Sequence, residues 1–322
     1  STALVSLVMR EAPNVSDHRR RLVLEAAAEL GYRPNVLARN LASRRTRTIG
    51  VVVNDLHNQF FAEIVDGLQE QADRTGYRIL LGNGKHSRSG ESESLETFLQ
   101  FRVDGLVLAG PTASISAMEL AASTTPIVIV GRETRSTKLD SVNTDDEFGA
   151  RLAVDHLVAL GHRHIAHVDG GAGAGASGRR RGYKKAMIQH GLRDKITVVR
   201  GDFSEAGGRA ATEELLRLLP RPTAIFAGND LSAVGALDAV AKATLQVPMD
   251  ISIVGYDNTT LAAIHHISLT TINQPRADIG RIAIKLLLER LDEGRTAAVH
   301  HVVTPTMVER NSSCALTGEP AR

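Results

Sequence analysis

Cysteine is almost absent from this sequence of 322 residues, the single example being Cys314 near the C-terminus. One thiol excludes an intramolecular disulfide framework and argues against a cysteine nucleophile or redox chemistry. Long apolar runs are missing too. No stretch of about 18 uncharged apolar residues occurs, so neither a membrane span nor a signal peptide is legible and a soluble, cytoplasmic protein is expected. Catalytic motifs are also lacking: there is no P-loop, no G-x-S-x-G and no paired carboxylates outside the strand-end loops, which argues against an enzyme. His162, His164 and His167, in GHRHIAH, fall on a strand that would turn His164 and His167 to opposite faces, which argues against a metal site. No cofactor is expected.

What is present is 43% hydrophobic residues, 28 glycines and a net charge of +2. The length fits two domains, or one large α/β unit with a small extra element. Charge is unevenly spread. Residues 1–50 hold nine arginines against four acids, a net +5 that leaves the remainder at −3. A basic, largely helical head suits phosphate binding, because neutralised phosphates release counterions; a solvated charged segment is the plainer alternative.

The head divides into three helical pieces. Residues 1–10 place Leu4, Val5, Val8 and Met9 at helical spacing before Pro13 and Asn14. Ser16 then caps a helix through Leu30, with Val23, Ala26, Ala27 and Leu30 on one face and Gly31 as its stop. Pro34 opens PNVLARNLASRR, whose Leu37 and Leu41 need a partner to bury them, since so short a helix is unstable alone. From Thr48 onward, apolar runs (IGVVV, YRILLGN, DGLVLAG, PIVIVG, HIAHV, ITVVRGD, AIFAGND, ISIVGYD) alternate with helical patterns near 60–75, 92–102, 114–123, 146–160, 178–190, 205–219 and 232–244. Such alternation predicts parallel sheets covered by helices. Four strands precede a break near residues 143–145 and four follow it, so the expected fold class is α/β, with two doubly wound parallel-sheet lobes. A helix over 276–292 and a strand near 297–304 return to the first lobe.

One motif points elsewhere. Gly173 to Gly178 spell G-A-G-A-S-G, a literal G-x-G-x-x-G after a strand and before a helix, with Asp202 downstream. A dinucleotide fingerprint belongs in the first βαβ unit of its domain, whereas this run lies mid-chain with surplus glycines. It reads better as a cleft loop whose glycines let the backbone approach a ligand, the ligand then being large or held by backbone.

Segments dispersed along the chain resemble the LacI/GalR family of bacterial transcription regulators. PNVS, ELGYRPNVLARNLASRRTRTIGVVV, NQFFAEIVDGLQEQA, VDGLVLAG, HLVALGHRHIAHVDG, GDFSEAG, RPTAIFAGND, VPMDISIVGYDN and LTTINQP carry the likeness, in the family's order, to about residue 310. The resemblance implies a ligand-responsive repressor: a DNA-binding head, a hinge helix and a periplasmic-binding-protein-like body. The implied boundaries are 1–47 for a partial helix-turn-helix head and hinge, 48–144 plus 274–302 for one lobe, and 145–273 plus 303–322 for the other. Operator DNA, a small-molecule effector and a second copy of the chain, forming a homodimer, are the implied partners. Residues 1–10 align with the family's recognition helix, so the preceding helix is expected to be missing, residues 1 to about 10 to be poorly ordered and operator binding to be weak.

Carried over residue by residue, the resemblance implies that Thr2, Ala3 and Ser6 touch base edges or phosphates, while Leu4 and Leu7 stand where polar residues are common. Ser16, Tyr32 and Asn35 match phosphate-contacting positions, Ala38 is a further DNA-contact candidate, and Leu41 matches a leucine wedged into the minor groove, packing between hinge helices being the alternative. In the cleft, Phe60, Phe61 and Phe203 would offer apolar faces, although Phe60 and Phe61 also suit a core. Asn229, Asp230 and Asp257 end strands with acceptors suited to hydroxyls, with helix capping as the alternative. Arg179 matches an effector-contacting arginine held by Asp257, whereas Arg180 and Arg181 read as solvated. Arg132, beside a glycine where relatives carry an acid, is the eighth candidate and points to an anionic sugar derivative.

Overall fold

The structure, a computed structural model, describes residues 2–9, 12–32 and 45–316. They fall into two compact units, Ser1–Thr46 and Arg47–Arg322.

In the first unit α1 (Thr2–Met9) packs on α2 (Asp17–Glu29), burying Val8. Where the sequence reading expects poor order over residues 1 to about 10, Thr2–Met9 is helical with Val8 buried. Ser16 occupies the N-cap of α2 in extended conformation, but its side chain makes no capping bond. The C-terminal stop works as expected. Gly31 takes φ +57°, with its N–H donating to Ala28 O (3.1 Å) and that of Tyr32 to Ala27 O (2.8 Å), the paired bonds of a Schellman motif. Of the expected apolar face, Val23 and Ala27 are half-buried, whereas Leu30 is 81% exposed. Ala3 and Ser16 are exposed and Tyr32 is 51% exposed. The side chains of Thr2 and Ser6, and all of Asn35, Ala38 and Leu41, lie outside the described residues.

The second unit carries β1 (Thr48–Val53), α3 (Gln59–Thr75), β2 (Arg78–Asn83), α4 (Arg88–Gln100), β3 (Gly105–Ala109), α5 (Ile115–Ala121), β4 (Ile127–Val130) and β5 (Asp140–Thr144). Next come α6 (Asp146–Ala159), β6 (Ile165–Val168), α7 (Ala176–Gln189), β7 (Thr197–Val199), α8 (Glu205–Leu216), β8 (Ala224–Ala227), α9 (Asp230–Lys242), β9 (Ser252–Asp257) and β10 (Thr270–Asn273). The chain finishes with α10 (Arg276–Asp292), β11 (His300–Val303) and β12 (Thr306–Val308). Two sheets result, ordered β11-β5-β4-β3-β1-β2 and β12-β10-β9-β8-β6-β7. Every pairing is parallel except β10 with β12. The chain thus passes between the sheets after β5, after β10 and between β11 and β12.

Helices cover both faces of each sheet, so central strands such as β3, β4, β8 and β9 are buried throughout. The sequence pattern recovers these strands because apolar side chains suit both faces. It misses β5 for a physical reason. Its residues DSVNT are all buried, yet four of the five are polar, and three of these find partners far along the chain: Asp140 in Arg290 and Arg295, Ser141 in His300, Thr144 in Gln274. β10 and β12 are short and likewise leave no apolar run.

Close approach of α3 and α10 completes the first lobe. A Cβ on Gly67 would lie 2.1 Å from Ala277 O, and one on Gly280 would lie 2.1 Å from Ile64 O, so only glycine permits this spacing. Among the described residues no helix is long and apolar enough to cross a membrane.

Candidate functional site

The C-terminal ends of the strands of both sheets open onto one cavity of about 70 Å³. That is where an α/β fold presents loops, free of the sheet's own hydrogen bonding, to a ligand. The first lobe supplies Asn54, Asn58, Phe60, Phe61, His86, Gly110 and Gly131; the crossover segments supply Thr144, Asp146 and Gln274. From the second lobe come Gly173, Ala174, Arg179, Asp202, Phe203, Asn229 and Asp257. Six of the eight effector candidates read from the sequence therefore meet here.

Phe60 and Phe61 stand at the start of α3, where Asn58 Oδ1 accepts the Phe60 N–H at 3.0 Å and sets the helix entry. Their rings meet edge to face at 5.2 Å and belong to the first lobe's core as well as to the cavity wall. Phe203 faces the cavity from the second lobe with φ +67°. Its ring accounts for two glycines of the 170–175 loop, since a Cβ on Gly170 or Gly173 would lie 2.0 or 2.5 Å from ring atoms. Those glycines seat Phe203, a requirement of the protein that needs no bulky ligand to explain it.

Arg179 is buried at the centre of the second lobe's contribution. Its Nε donates to Asp146 Oδ1 at 2.9 Å and its Nη1 to Gly228 O at 2.6 Å, with Asp257 Oδ1 3.8 Å from Nη1. The guanidinium lies 3.8 Å from the Tyr256 ring centroid and 5.2 Å from that of Phe203. Burial alone would lower its pKa, but Asp146, Tyr256 and Asp257 more than reverse this and raise it. Asp146, not Asp257, is the principal anchor. Nothing in TDDEFGA marks this role locally: Asp145 caps α6 through the Phe148 N–H, while its neighbour turns into the cleft.

Two candidates are corrected. Arg132 points away from the cavity, its Nη1 donating to Ala113 O and, at 3.4 Å, to Pro111 O. It steadies the 111–113 loop together with Glu91, whose carboxylate accepts from Thr112 N (2.7 Å) and Thr112 Oγ1 (2.8 Å). Asp230 lies behind the cavity, accepting from Thr259 N (2.7 Å), Thr259 Oγ1 (2.9 Å) and Thr271 Oγ1 (2.6 Å). Its oxygens are spent on tying β10 and the 258–260 turn to α9. The helix cap beside it is Asn229, whose Oδ1 accepts from Ser232 N (2.9 Å) while Nδ2 donates to Phe203 O (3.0 Å). Without Arg132, the cavity's one arginine faces the carboxyls of Asp146, Asp202 and Asp257.

Asp257, at φ +117°, ties the site to the crossovers. Its Oδ1 accepts from Gln274 Nε2 (2.6 Å), and Gln274 Oε1 accepts from Thr144 Oγ1 (2.5 Å). Burial pushes its carboxyl up to about 8, Asp230 adding repulsion and Arg179 opposing. A carboxyl raised in the folded state stabilises fully below its unfolded pKa of about 3.9, and that stability is lost as pH rises through the folded value. Between about pH 4 and 8 the protein should therefore lose stability, and Asp257→Asn, which mimics the protonated form, should flatten that fall in a melting-temperature profile. Parallel profiles for parent and variant would refute the assignment.

The cavity side chains not named as effector contacts from the sequence are Asn54, Asn58, His86, Thr144, Asp146, Asp202, noted only downstream of the glycine run, and Gln274. The last of them sat in plain view within LTTINQP. The histidines of GHRHIAH have structural partners: His162 bonds Thr223 Oγ1 (2.9 Å) and Cys314 O (3.1 Å), and buried His167, stacked on Phe226, bonds Phe226 O (2.9 Å). Burial pushes His167 down to about 4. Among the described residues no group of His, Cys, Asp or Glu is placed to hold a metal ion.

Residues 154–313 match the model of the periplasmic binding protein-like domain. The chain is 37% identical over 298 residues to catabolite control protein A of Priestia megaterium, covering 91% of this chain and 90% of that protein. It also resembles the Lac repressor bound to ONPG in its repressed state, with TM-score 0.87 and 30% identity over 97% of this chain and 96% of that one. A LacI family transcriptional regulator from Enterococcus faecium with bound ribose gives TM-score 0.76 and 29% identity, over 84% and 100%.

Proposed function

Since this chain belongs to the LacI/GalR family of bacterial transcription regulators, we propose that its cleft binds a neutral monosaccharide and passes that occupancy to operator DNA through the N-terminal head. The protein is a ligand-responsive transcriptional repressor, and its relatives are regulators, not enzymes. It works in the cytoplasm as a homodimer, two heads meeting two half-sites of a near-palindrome.

One observation carries the choice of effector: the cavity pairs aromatic faces from both lobes with a buried arginine already bonded to Asp146. Phe61 and Phe203 suit the C–H faces of a sugar ring, and the amides and carboxyls suit its hydroxyls. Binding from both lobes favours the closed arrangement, and a ligand shifts the equilibrium only by that differential affinity. The Thr144–Gln274–Asp257 chain joins the ligand's carboxyl partner to two of the interlobe crossovers.

Thermal melting of the protein with ribose, glucose, cellobiose and glucuronate tests the effector reading. A neutral monosaccharide should raise the melting temperature and glucuronate should not; stabilisation by glucuronate alone would overturn it. Selection from random duplex at low salt, where phosphate contacts are strongest, should enrich a near-palindrome whose retention changes with the stabilising sugar. Retention that ignores the sugar would sink the coupling.

A further inference from the structure

A second cavity, of about 310 Å³, lies at the edge of the second lobe, beside α7 and the edge strand β7. Asp169, Gly171, Ala172, Arg180, Val198 and Arg200 line it. Asp169, 2% exposed, forms its floor with both oxygens engaged: Oδ1 accepts from Gly171 N (2.9 Å) and Gly201 N (3.3 Å), and Oδ2 pairs with Arg180 Nη1 (2.8 Å). Arg180 is thus held by a buried carboxylate, which corrects its reading as a merely solvated charge. Its other N–H groups remain available, its side chain being 36% exposed. Arg200 is exposed and has no carboxylate partner among the described residues. Two guanidinium groups therefore share a concave site with one carboxylate that is already committed.

We propose that this cavity binds a phosphate group, free or as a small monoester, at a site separate from the sugar cleft. Forked guanidinium donors match the oxygens of a tetrahedral oxyanion, and the residual charge of the lining is positive. The buried Asp169 pre-orients Arg180, which lowers the ordering cost of binding. The site also gives the glycine-rich run a further role. Gly171 and Ala172 face this cavity while Gly173 and Ala174 line the cleft, so one short loop is the wall between them. Arg179 and Arg180, adjacent on α7, serve one cavity each. Gly171, at φ +61°, lies so close to the segment after β7 that a Cβ would sit 2.7 Å from Gly201 O. An anion seated on Arg180 and Arg200 stiffens this shared loop, with Arg180 still held by Asp169, and so alters sugar affinity from outside the cleft.

The test is melting of the full chain in inorganic phosphate or glycerol 3-phosphate, against chloride at matched ionic strength. At tenfold excess over Kd the melting temperature should rise by about 2–4 °C. The rise should vanish in Arg200→Gln and in Arg180→Gln and persist in Asp257→Asn. A larger rise with the ester assigns a monoester, and a larger rise with inorganic phosphate assigns the free ion; either supports the site. No rise above chloride, an equal rise in Arg200→Gln, or loss confined to Asp257→Asn would overturn it, the last two placing the anion on the head or in the cleft.

Discussion

Arg179→Ala is expected to destabilise the protein by about 3–5 kcal/mol and to abolish stabilisation by the sugar, because it strands the carboxylate of Asp146 in the interior. Burial raises the Asp146 pKa even with Arg179 in place, so without its partner that group must take up a proton or admit water. The Tyr256 and Phe203 rings lose their cation as well. Urea denaturation with and without ligand separates the two effects. The double variant Arg179→Met with Asp146→Leu should recover much of the stability and none of the sugar response. A loss below about 1 kcal/mol in Arg179→Ala would show that the pair is not the clamp described here.

Asp140→Ala should cost about as much, about 3–5 kcal/mol, with no direct contact to the cleft. Asp140 is fully buried and gathers five donors: Arg290 Nε (2.6 Å) and Nη2 (2.9 Å), Arg295 Nη1 (3.1 Å) and Nη2 (2.8 Å), and Val299 N (2.7 Å). It fastens the returning segment, α10 and β11, onto β5. Burial opposes ionisation, but the two arginines and the Val299 N–H outweigh it and hold the carboxyl below its usual range. A depressed pKa contributes stability that is present above the unfolded value and lost as pH falls through the folded one. The parent should therefore weaken on acidification below about pH 4, and Asp140→Ala should lack that component of the acid transition. An identical acid transition in the two proteins would refute it.

The reading from residues succeeded where the cause is local. Val51, Val107, Ile129 and Phe226 lie on strands buried on both faces, and a run of apolar residues is enough to report that. Phe60, Phe61, Arg179, Phe203, Asn229 and Asp257 lie at or just beyond strand ends, so their convergence on one cleft follows from parallel topology. Arg132 and Asp230 satisfy the same criterion and still miss. Each finds nearer partners, the Ala113 carbonyl and the Thr259 and Thr271 hydroxyls, and a side chain's direction at a strand end is set by those partners.

The sequence by itself determined that this chain has a basic helical head and a body of alternating strands and helices in two lobes, because periodicity and charge are properties of neighbours. It also located most of the aromatic and charged groups of the cleft. Only the tertiary structure decided that polar β5 is a buried strand, that Asp146 anchors Arg179, that glycines 170 and 173 seat a phenylalanine, and that Arg180 braces a second cavity. Those outcomes rest on partners tens to hundreds of residues apart, such as Asp140 with Arg290 and Arg295, or Arg179 with Asp146. A buried polar group takes whichever complementary group the fold brings within hydrogen-bonding distance, and that distance is not written in local spacing.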